Sequence, residues 1–368
     1  MAALDRRVIY HFDWTVFVLA LALGGMGVLS VLSATWGNTR HGLDPLVVRQ
    51  LTWVGLGAAL MTAAALFDYR SLSSYAYLIY AVTVGLLIVV AVAGHSTGGS
   101  RRWINLGVLK LEPSEIAKLA VALVMVRYLR EEPPRGGWKL RHVVIPALLL
   151  ALPAGLVLKQ PDLGTALILV LITATLIFVG GLNWRTAAIL MIAAALAAPL
   201  GWHYLKSYQR ERLVSFLNPQ SDPLGSGYHI IQSEIAIGAG GAWGKGLFKG
   251  TQARLNFLPE QTTDFIFAVF AEEFGFAGAM LLLGLYTVLI LRGAWIARHA
   301  RDRFGALLAV GVTGIIFWQV AINVGMASGM LPVVGITLPL VSYGGSSLIA
   351  MMAAMGVLIS INTRRFLF

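Results

Sequence analysis

Cysteine is absent from the 368 residues, and charged residues are scarce. The first absence excludes disulfides and thiolate metal sites, and leaves the redox compartment unread. The second excludes an ordinary soluble domain. Asp, Glu, Lys and Arg make up 12% of the chain, against roughly 25% in soluble proteins. Alternating strand-length patterns are also missing, which argues against a membrane barrel. No internal repeat is visible, and no cleavable leader: the first apolar run, Trp14 to Leu32, is too long for one and reads as a retained helix.

What is present is hydrophobic length. The composition is 58% hydrophobic, with a mean hydropathy of +0.77. Apolar runs near the roughly 20 residues needed to cross a bilayer occur about ten times, at 14–34, 47–67, 75–94, 113–130, 142–159, 163–181, 186–204, 264–291, 305–328 and 338–361. The expected fold is therefore all-α: a single integral membrane domain over 1–368, a polytopic bundle of about ten helices. A long loop, 205–263, separates the seventh and eighth. Forty glycines suit close helix packing.

Arginines flank one set of helix ends: Arg6 and Arg7, Arg130, Arg135 and Arg141, Arg292, Arg298, Arg301 and Arg303, and Arg364 and Arg365. The positive-inside rule puts these ends and both termini in the cytoplasm. The opposite face is basic too, with Arg101, Arg102, Lys110, Lys206, Arg210, Arg212, Lys245, Lys249 and Arg254. Long loops cross regardless of charge. A solubilising charge mix or contact with anionic lipid headgroups explains such a face; so does an anionic substrate gathered there, such as a phosphate-bearing lipid. Nucleic acid is excluded as a partner of charge on that side.

Ionisable groups at membrane depth are the candidates for function. In "LEPSEIAKLA", Glu115 and Lys118 share a helix face at i,i+3. They form either a mutually neutralising pair or the wall of a polar cavity. In "KQPDLGTAL", Asp162 sits at a helix N-terminus, where a capping role alone would account for it. "LPEQTTDFIFAVFAEEFGF", residues 258–276, carries Glu260, Asp264, Glu272 and Glu273. Asp264 is the acid that water and substrate could both reach, at the first turn of the eighth run. Glu272 lies about 12 Å deeper and Glu273 projects from roughly the opposite face. Both are expected to pair with buried basic groups or to take up protons. In "SYGGSS", Ser342 and Ser346 could contact sugar or phosphate, or the glycines could serve a tight helix entry.

Together with "GGSRRWINLG", "YQRERLVSFLNP", "DPLGSGYHIIQSEIAIGAGGAWGKGL" and "NVGMASGMLPVVGITLPLVSYGGSS", these stretches resemble the SEDS family of polytopic glycosyltransferases, the RodA and FtsW proteins. The likeness runs from about residue 45 to 362, with motifs in a fixed order and closer to the RodA type. It implies polymerisation of peptidoglycan glycan strands from lipid II, with inversion to a β-1,4 linkage, on the outer face of the cytoplasmic membrane. It also implies a class B penicillin-binding protein as transpeptidase partner and a role in elongation and cell shape, the division role being the near alternative. The resemblance makes Asp264 the catalytic carboxylate. It assigns Glu260, Arg49, Arg102 (beside Trp103), Glu115, Lys118, Asp162 and Arg210 (with Arg212 in the same QRxR motif) to substrate binding. "QTTD" departs from the commoner "HTD" ending, so no histidine base is assigned there.

The chemistry fits those residue types. The acceptor hydroxyl must lose a proton, which a carboxylate can take. The departing diphosphate must have its charge stabilised, which Arg49, Arg102, Lys118 and Arg210 could do. Asp264 and Glu260 could instead hold Mg²⁺ or Mn²⁺ against the diphosphate, since hard oxygens suit such ions. The rival readings are a lipid II flippase, an ion-coupled transporter and a scaffold that recruits the transpeptidase.

Overall fold

Each of the ten apolar runs holds one helix in the computed structural model, which describes all residues except 1–10, 37–42, 94, 98–99, 106–109, 135, 222–224, 226, 256, 259 and 367–368. Arg6, Arg7 and Arg135 of the orientation argument lie outside the described residues. The helices are α1 (Trp14–Ala34), α2 (Pro45–Leu66), α3 (Tyr69–Ala93), α4 (Pro113–Leu129), α5 (Leu140–Lys159), α6 (Leu163–Val179) and α7 (Trp184–Tyr204). Three short helices follow: α8 (Ser207–Leu217), α9 (Tyr228–Gly240) and α10 (Thr251–Arg254). The chain then closes with α11 (Ile266–His299), α12 (Arg303–Ala327) and α13 (Gly345–Thr363). Among the described residues seven helices are long and apolar enough to cross a membrane by length and composition, namely α1, α2, α3, α5, α11, α12 and α13. The protein is a multi-pass membrane protein built as a helical bundle.

Burial sorts the helices. α12 and α13 are largely buried, and α4 is buried along nearly its whole length. α4 packs on α3, α6 and α12, and α13 packs most extensively on α2. This explains how α4 carries Glu115 and Lys118: its neighbours are protein, not lipid, so its sequence need not be uniformly apolar. α7, by contrast, turns Trp184, Met191 and Leu196 outward, as a lipid-facing helix requires. At the arginine-rich end, Asp13 accepts from Arg292 (2.9 Å) and Asn362 (3.0 Å), tying α1, α11 and α13 together.

Three features depart from the sequence reading. The 205–263 segment is not a plain loop, since α8, α9 and α10 lie in it. A small antiparallel sheet, β1 (His95–Thr97), β2 (Ser100–Asn105) and β3 (Lys110–Leu111), occupies the α3–α4 connection. Residues 338–344 are turn and extended chain rather than the start of the last helix, because Leu340 takes a left-handed φ of 68° and the helix begins only at Gly345.

α11 is the longest element, at 34 residues or roughly 50 Å, well beyond a hydrocarbon core of about 30 Å. It is interrupted at Gly275, where φ is 65° and ψ −166°, a region open almost only to glycine. The connector between α9 and α10 repairs the break. Lys245 and Gly246 donate their N–H groups to the carbonyls of Glu272 and Glu273, at 3.0 and 2.9 Å. Phe276 and Ala277 donate theirs to Gly241 and Ala242, at 2.8 and 3.0 Å. The adjacent acids finish the clasp. Glu272 pairs with Lys245 at 2.7 Å and takes N–H bonds from Thr251 and Gln252, and Glu273 takes the N–H of Phe248 and the hydroxyl of Ser33. Glu272 thus meets a basic partner as expected, although Lys245 is half-buried rather than buried; Glu273 meets neutral donors instead. A Cβ at Gly275 would overlap the backbone of Trp243 and Gly244. Gly275→Ala is expected to cost at least about 2–3 kcal/mol, read as a lowered melting temperature in detergent. Melting at the parent temperature would show the clasp to be dispensable.

Candidate active site

Asp264 sits in a tight turn that its neighbours hold from every side. The carbonyl of Glu260, itself at a left-handed φ of 52°, accepts the N–H groups of Thr263, Asp264 and Phe265 at 3.1, 3.1 and 3.3 Å. Non-glycine residues in that region store strain and concentrate at functional sites. Asn323 of α12 donates to the Asp264 carbonyl (2.9 Å) and to that of Ile336 (2.7 Å). Ser342 donates to the Thr263 carbonyl at 2.6 Å, and Tyr343 N–H donates to Thr262 at 2.8 Å. The turn is thereby fixed against the 334–343 segment, and Asp264 faces a cavity of about 370 Å³.

That cavity gathers most of the residues singled out in the sequence. Arg102, Glu115, Lys118, Asp162, Glu260, Asp264 and Ser346 all line it. Lys118 contacts Glu115 at 2.7 Å, both buried. Arg102, from β2, donates to the carbonyls of Gln160 (3.1 Å) and Pro161 and approaches Asp162 at 3.9 Å. Asp162 also caps α6 by accepting the Thr165 N–H at 3.0 Å, so its capping and cavity roles coexist.

Three predicted residues are placed elsewhere. Arg49 is exposed on α2 and does not line the cavity. Arg210 donates to the His203 carbonyl at 2.8 Å, while its motif partner Arg212 is the one that lines the cavity. Two residues apart on a helix, they point about 200° apart, so one of them must turn away. Ser342 acts on the backbone behind Asp264 rather than on the cavity.

The structure adds residues the sequence reading passed over. Glu112 lines the cavity at the start of α4. Gln319 forms part of the wall from α12, almost wholly buried, with Oε1 lacking any hydrogen-bond partner among the described residues. The signal for Glu112 was its place beside "PSE", masked by the plainer Glu115–Lys118 spacing.

The cavity's electrostatics are unusual. Five carboxyl groups face three basic ones, Arg102, Lys118 and Arg212. Burial, then the neighbouring Glu260 charge, raises the Asp264 pKa from its ordinary value to about 6, against the opposing pull of Arg212 and Arg102. Burial lowers the pKa of His229, despite Glu260 and with Arg212 adding to the effect, so this ring stays neutral beside Phe265. The N-termini of α4, α6 and α13 open toward the cavity, bringing the positive ends of three helix dipoles to it. An acid poised near neutrality, fixed cations and converging helix N-termini suit proton abstraction next to a bound anion.

Two carboxylates, Glu260 and Asp264, on one wall also match the hard-oxygen donors of a divalent cation. No group of three or more His, Cys, Asp or Glu side chains able to hold a metal occurs among the described residues. Such an ion would therefore need substrate oxygens to complete its shell.

Residues 11–366 match the family model described as cell cycle protein, FtsW/RodA/SpoVE. The chain is 43% identical over 358 residues to the peptidoglycan glycosyltransferase MrdB of Escherichia coli K12, covering 96% of this chain and 94% of that protein. It is 33% identical over 434 residues to the peptidoglycan glycosyltransferase RodA of Treponema pallidum Nichols, covering 98% and 99%. Among solved structures, a chain from a peptidoglycan synthase complex that coordinates polymerization and crosslinking superposes with a TM-score of 0.82. It is 37% identical, and the match covers 97% of this chain and 99% of that one.

Proposed function

We propose, for a chain that belongs to the FtsW/RodA/SpoVE family of cell cycle proteins, that the Asp264 cavity is where glycan strands are polymerised. The protein is a peptidoglycan glycosyltransferase of cell-wall elongation. The observation that carries the assignment of the site is the meeting of Asp264 with Arg102, Lys118 and Arg212 in one cavity. The substrate is lipid II and the nascent glycan strand. Asp264 takes the proton of the acceptor hydroxyl as its oxygen attacks the anomeric carbon of the donor sugar. The bond from that carbon to the diphosphate breaks on the opposite face, its electron pair leaving on the phosphate oxygen, so configuration inverts to β-1,4. Arg102, Arg212, Lys118 and the helix N-termini stabilise the departing charge. Asp264 returns its proton to water as the diphosphate leaves.

A divalent cation, Mg²⁺ or Mn²⁺, would be held by Asp264 and Glu260 and would supply further charge neutralisation at the diphosphate.

The membrane is the cytoplasmic membrane, and the cavity faces outward. Supporting this, α4, α11 and α13 run from the cavity toward ends bearing Arg127 and Arg130, Arg292 and Arg298, and Arg364 and Arg365. Such arginine-rich ends favour the cytoplasm, which also puts both termini there. A class B penicillin-binding protein supplies the transpeptidase, a reading supported by the likeness to a chain of a peptidoglycan synthase complex.

Lipid II polymerisation by the purified protein in detergent tests this reading. Polymer is expected without any added polymerase. Arg212→Ala should lower its rate at least about tenfold, whereas Arg210→Ala, directed at the His203 carbonyl, should stay within about twofold of the parent. Equal losses in both would remove Arg212 from the site. No polymer from the parent, with or without its partner, would remove the function.

A further inference from the structure

The cavity's basic groups are largely committed before substrate arrives. Lys118 lies on Glu115 at 2.7 Å, and the Arg102 guanidinium is engaged with Gln160, Pro161 and Asp162. Arg212 also lines the cavity and acts on Asp264, where it opposes the rise in that carboxyl's pKa. Glu112 has no ion pair among the described residues. Its Oε1 accepts the Ser114 hydroxyl at 3.0 Å. It cannot withdraw: its N–H donates to Ser346 Oγ (3.1 Å), and that hydroxyl donates in turn to the Lys110 carbonyl (2.8 Å), pinning the segment to α13. A carboxyl held in place among other carboxyls, with no ion pair of its own among the described residues and the nearby Lys118 already paired with Glu115, is neutralised most readily by a proton.

We propose that Glu112 stands in the cavity as a protonated carboxylic acid and donates a hydrogen bond to the diphosphate of the bound lipid donor. It is then a substrate-contacting residue that selects for an anionic leaving group while keeping its proton throughout. The proposal rests on the polymerase reading of the cavity. A neutral acid has one O–H to offer, and a diphosphate is all acceptor. An ionised Glu112 would instead repel it. The orphaned Oε1 of Gln319 on the same wall is a second sign that the cavity awaits a ligand, one that also bears hydroxyls.

The direction of the Glu112 pKa agrees. Burial, then the charges of Glu115 and Asp162, raise it to about 8, with the Ser114 hydroxyl and Lys118 opposing. The other titratable or charged groups facing the cavity are Arg102 from β2, Arg212 from α8, Glu260 and Asp264 from the turn, and Tyr343 before α13. Lys110 follows on β3, two residues before Glu112. Only replacement of Glu112 itself therefore identifies an alkaline transition.

The test uses the full chain in detergent, with a prenyl diphospho-N-acetylglucosamine as probe. Its diphosphate diester does not titrate in the range used. Binding is read from tryptophan fluorescence, since Trp103 lines the cavity, and polymerisation of lipid II is followed in parallel. Parent affinity is expected to fall about tenfold per pH unit above about pH 8. Glu112→Gln, which keeps an N–H donor and cannot ionise, should bind as the parent does at pH 7 and show no alkaline fall. Glu112→Met should bind at least about tenfold more weakly at every pH; its melting temperature separates this loss from misfolding. Flat parent binding between pH 7 and 9.5, or a fall that persists in Glu112→Gln, would overturn the proposal. If the alkaline fall tracks Glu112 but no polymer forms at any pH, the polymerase reading fails and the bound-anion role of Glu112 stands.

Discussion

Asp264→Asn should cut lipid II polymerisation about 10²–10⁴-fold and yet leave the protein harder to unfold at neutral pH. Both effects come from one placement. The carboxyl is enclosed in a turn fixed by Asn323, Ser342 and Glu260, which lets it reach an acceptor hydroxyl. The same enclosure raises its pKa from 3.8 to about 6. An acid raised in the folded state contributes stability that is fully present below its unfolded pKa and lost as pH climbs through the folded one. At pH 7.5 the parent has lost that contribution. A shift of about two units corresponds to roughly 3 kcal/mol, which solvent in the cavity reduces to about 1–2 kcal/mol. Asparagine removes the charge at all pH values, so its melting temperature should exceed the parent's at pH 7.5, with the gap closing toward pH 4. The parent's rate should fall about tenfold per pH unit below about pH 6 as the base takes up its proton. A variant that polymerises within about threefold of the parent would end the base assignment. One that melts lower at pH 7.5 would show that Asp264 stabilises as an anion, against its environment.

Membrane helices were legible in the sequence because lipid demands long apolar runs, and every such run holds a helix. The limits of that signal follow from the same physics. α11 continues to His299, beyond the end of its apolar run, since its last turns need no lipid-compatible side chains. The 338–344 stretch is apolar enough to pass for helix, yet it is packed inside protein, where irregular backbone finds partners such as Thr262 and Thr263. The clasp on Gly275 pairs residues about 30 positions apart in the sequence and left no local mark except glycine spacing. At the site, residue type and spacing singled out Asp264, Glu115, Lys118 and Asp162, and the family resemblance added Arg102. They could not say which arginine of Arg210 and Arg212 turns inward, nor that Glu112 borders the cavity, because both depend on how separate elements meet.

Lys118 with Glu115 poses the sharpest choice between scaffold and chemistry. The two groups are 2.7 Å apart, with side-chain exposures of 3% and 9%. Lys118→Met strands the Glu115 carboxylate in a buried setting and should cost about 3–5 kcal/mol. It should also reduce polymerisation by about 10²-fold or more, through loss of a cation beside the leaving diphosphate. Loss of activity alone would not say which effect dominates. The double variant Glu115→Gln/Lys118→Met does, because replacing a whole buried pair by neutral groups of similar volume is close to neutral for stability. Its melting temperature should return to near the parent's, while its polymerisation stays low. Recovery of both would make the pair a structural plug, and the diphosphate would then rest on Arg102, Arg212 and the helix N-termini. If Lys118→Met alone melts with the parent, Glu115 must have found a proton or water when its partner left, and the pair is not the closed unit its geometry describes. Restored stability without restored turnover is the outcome expected if the cavity was built around a cation the bound substrate needs and the empty fold can do without.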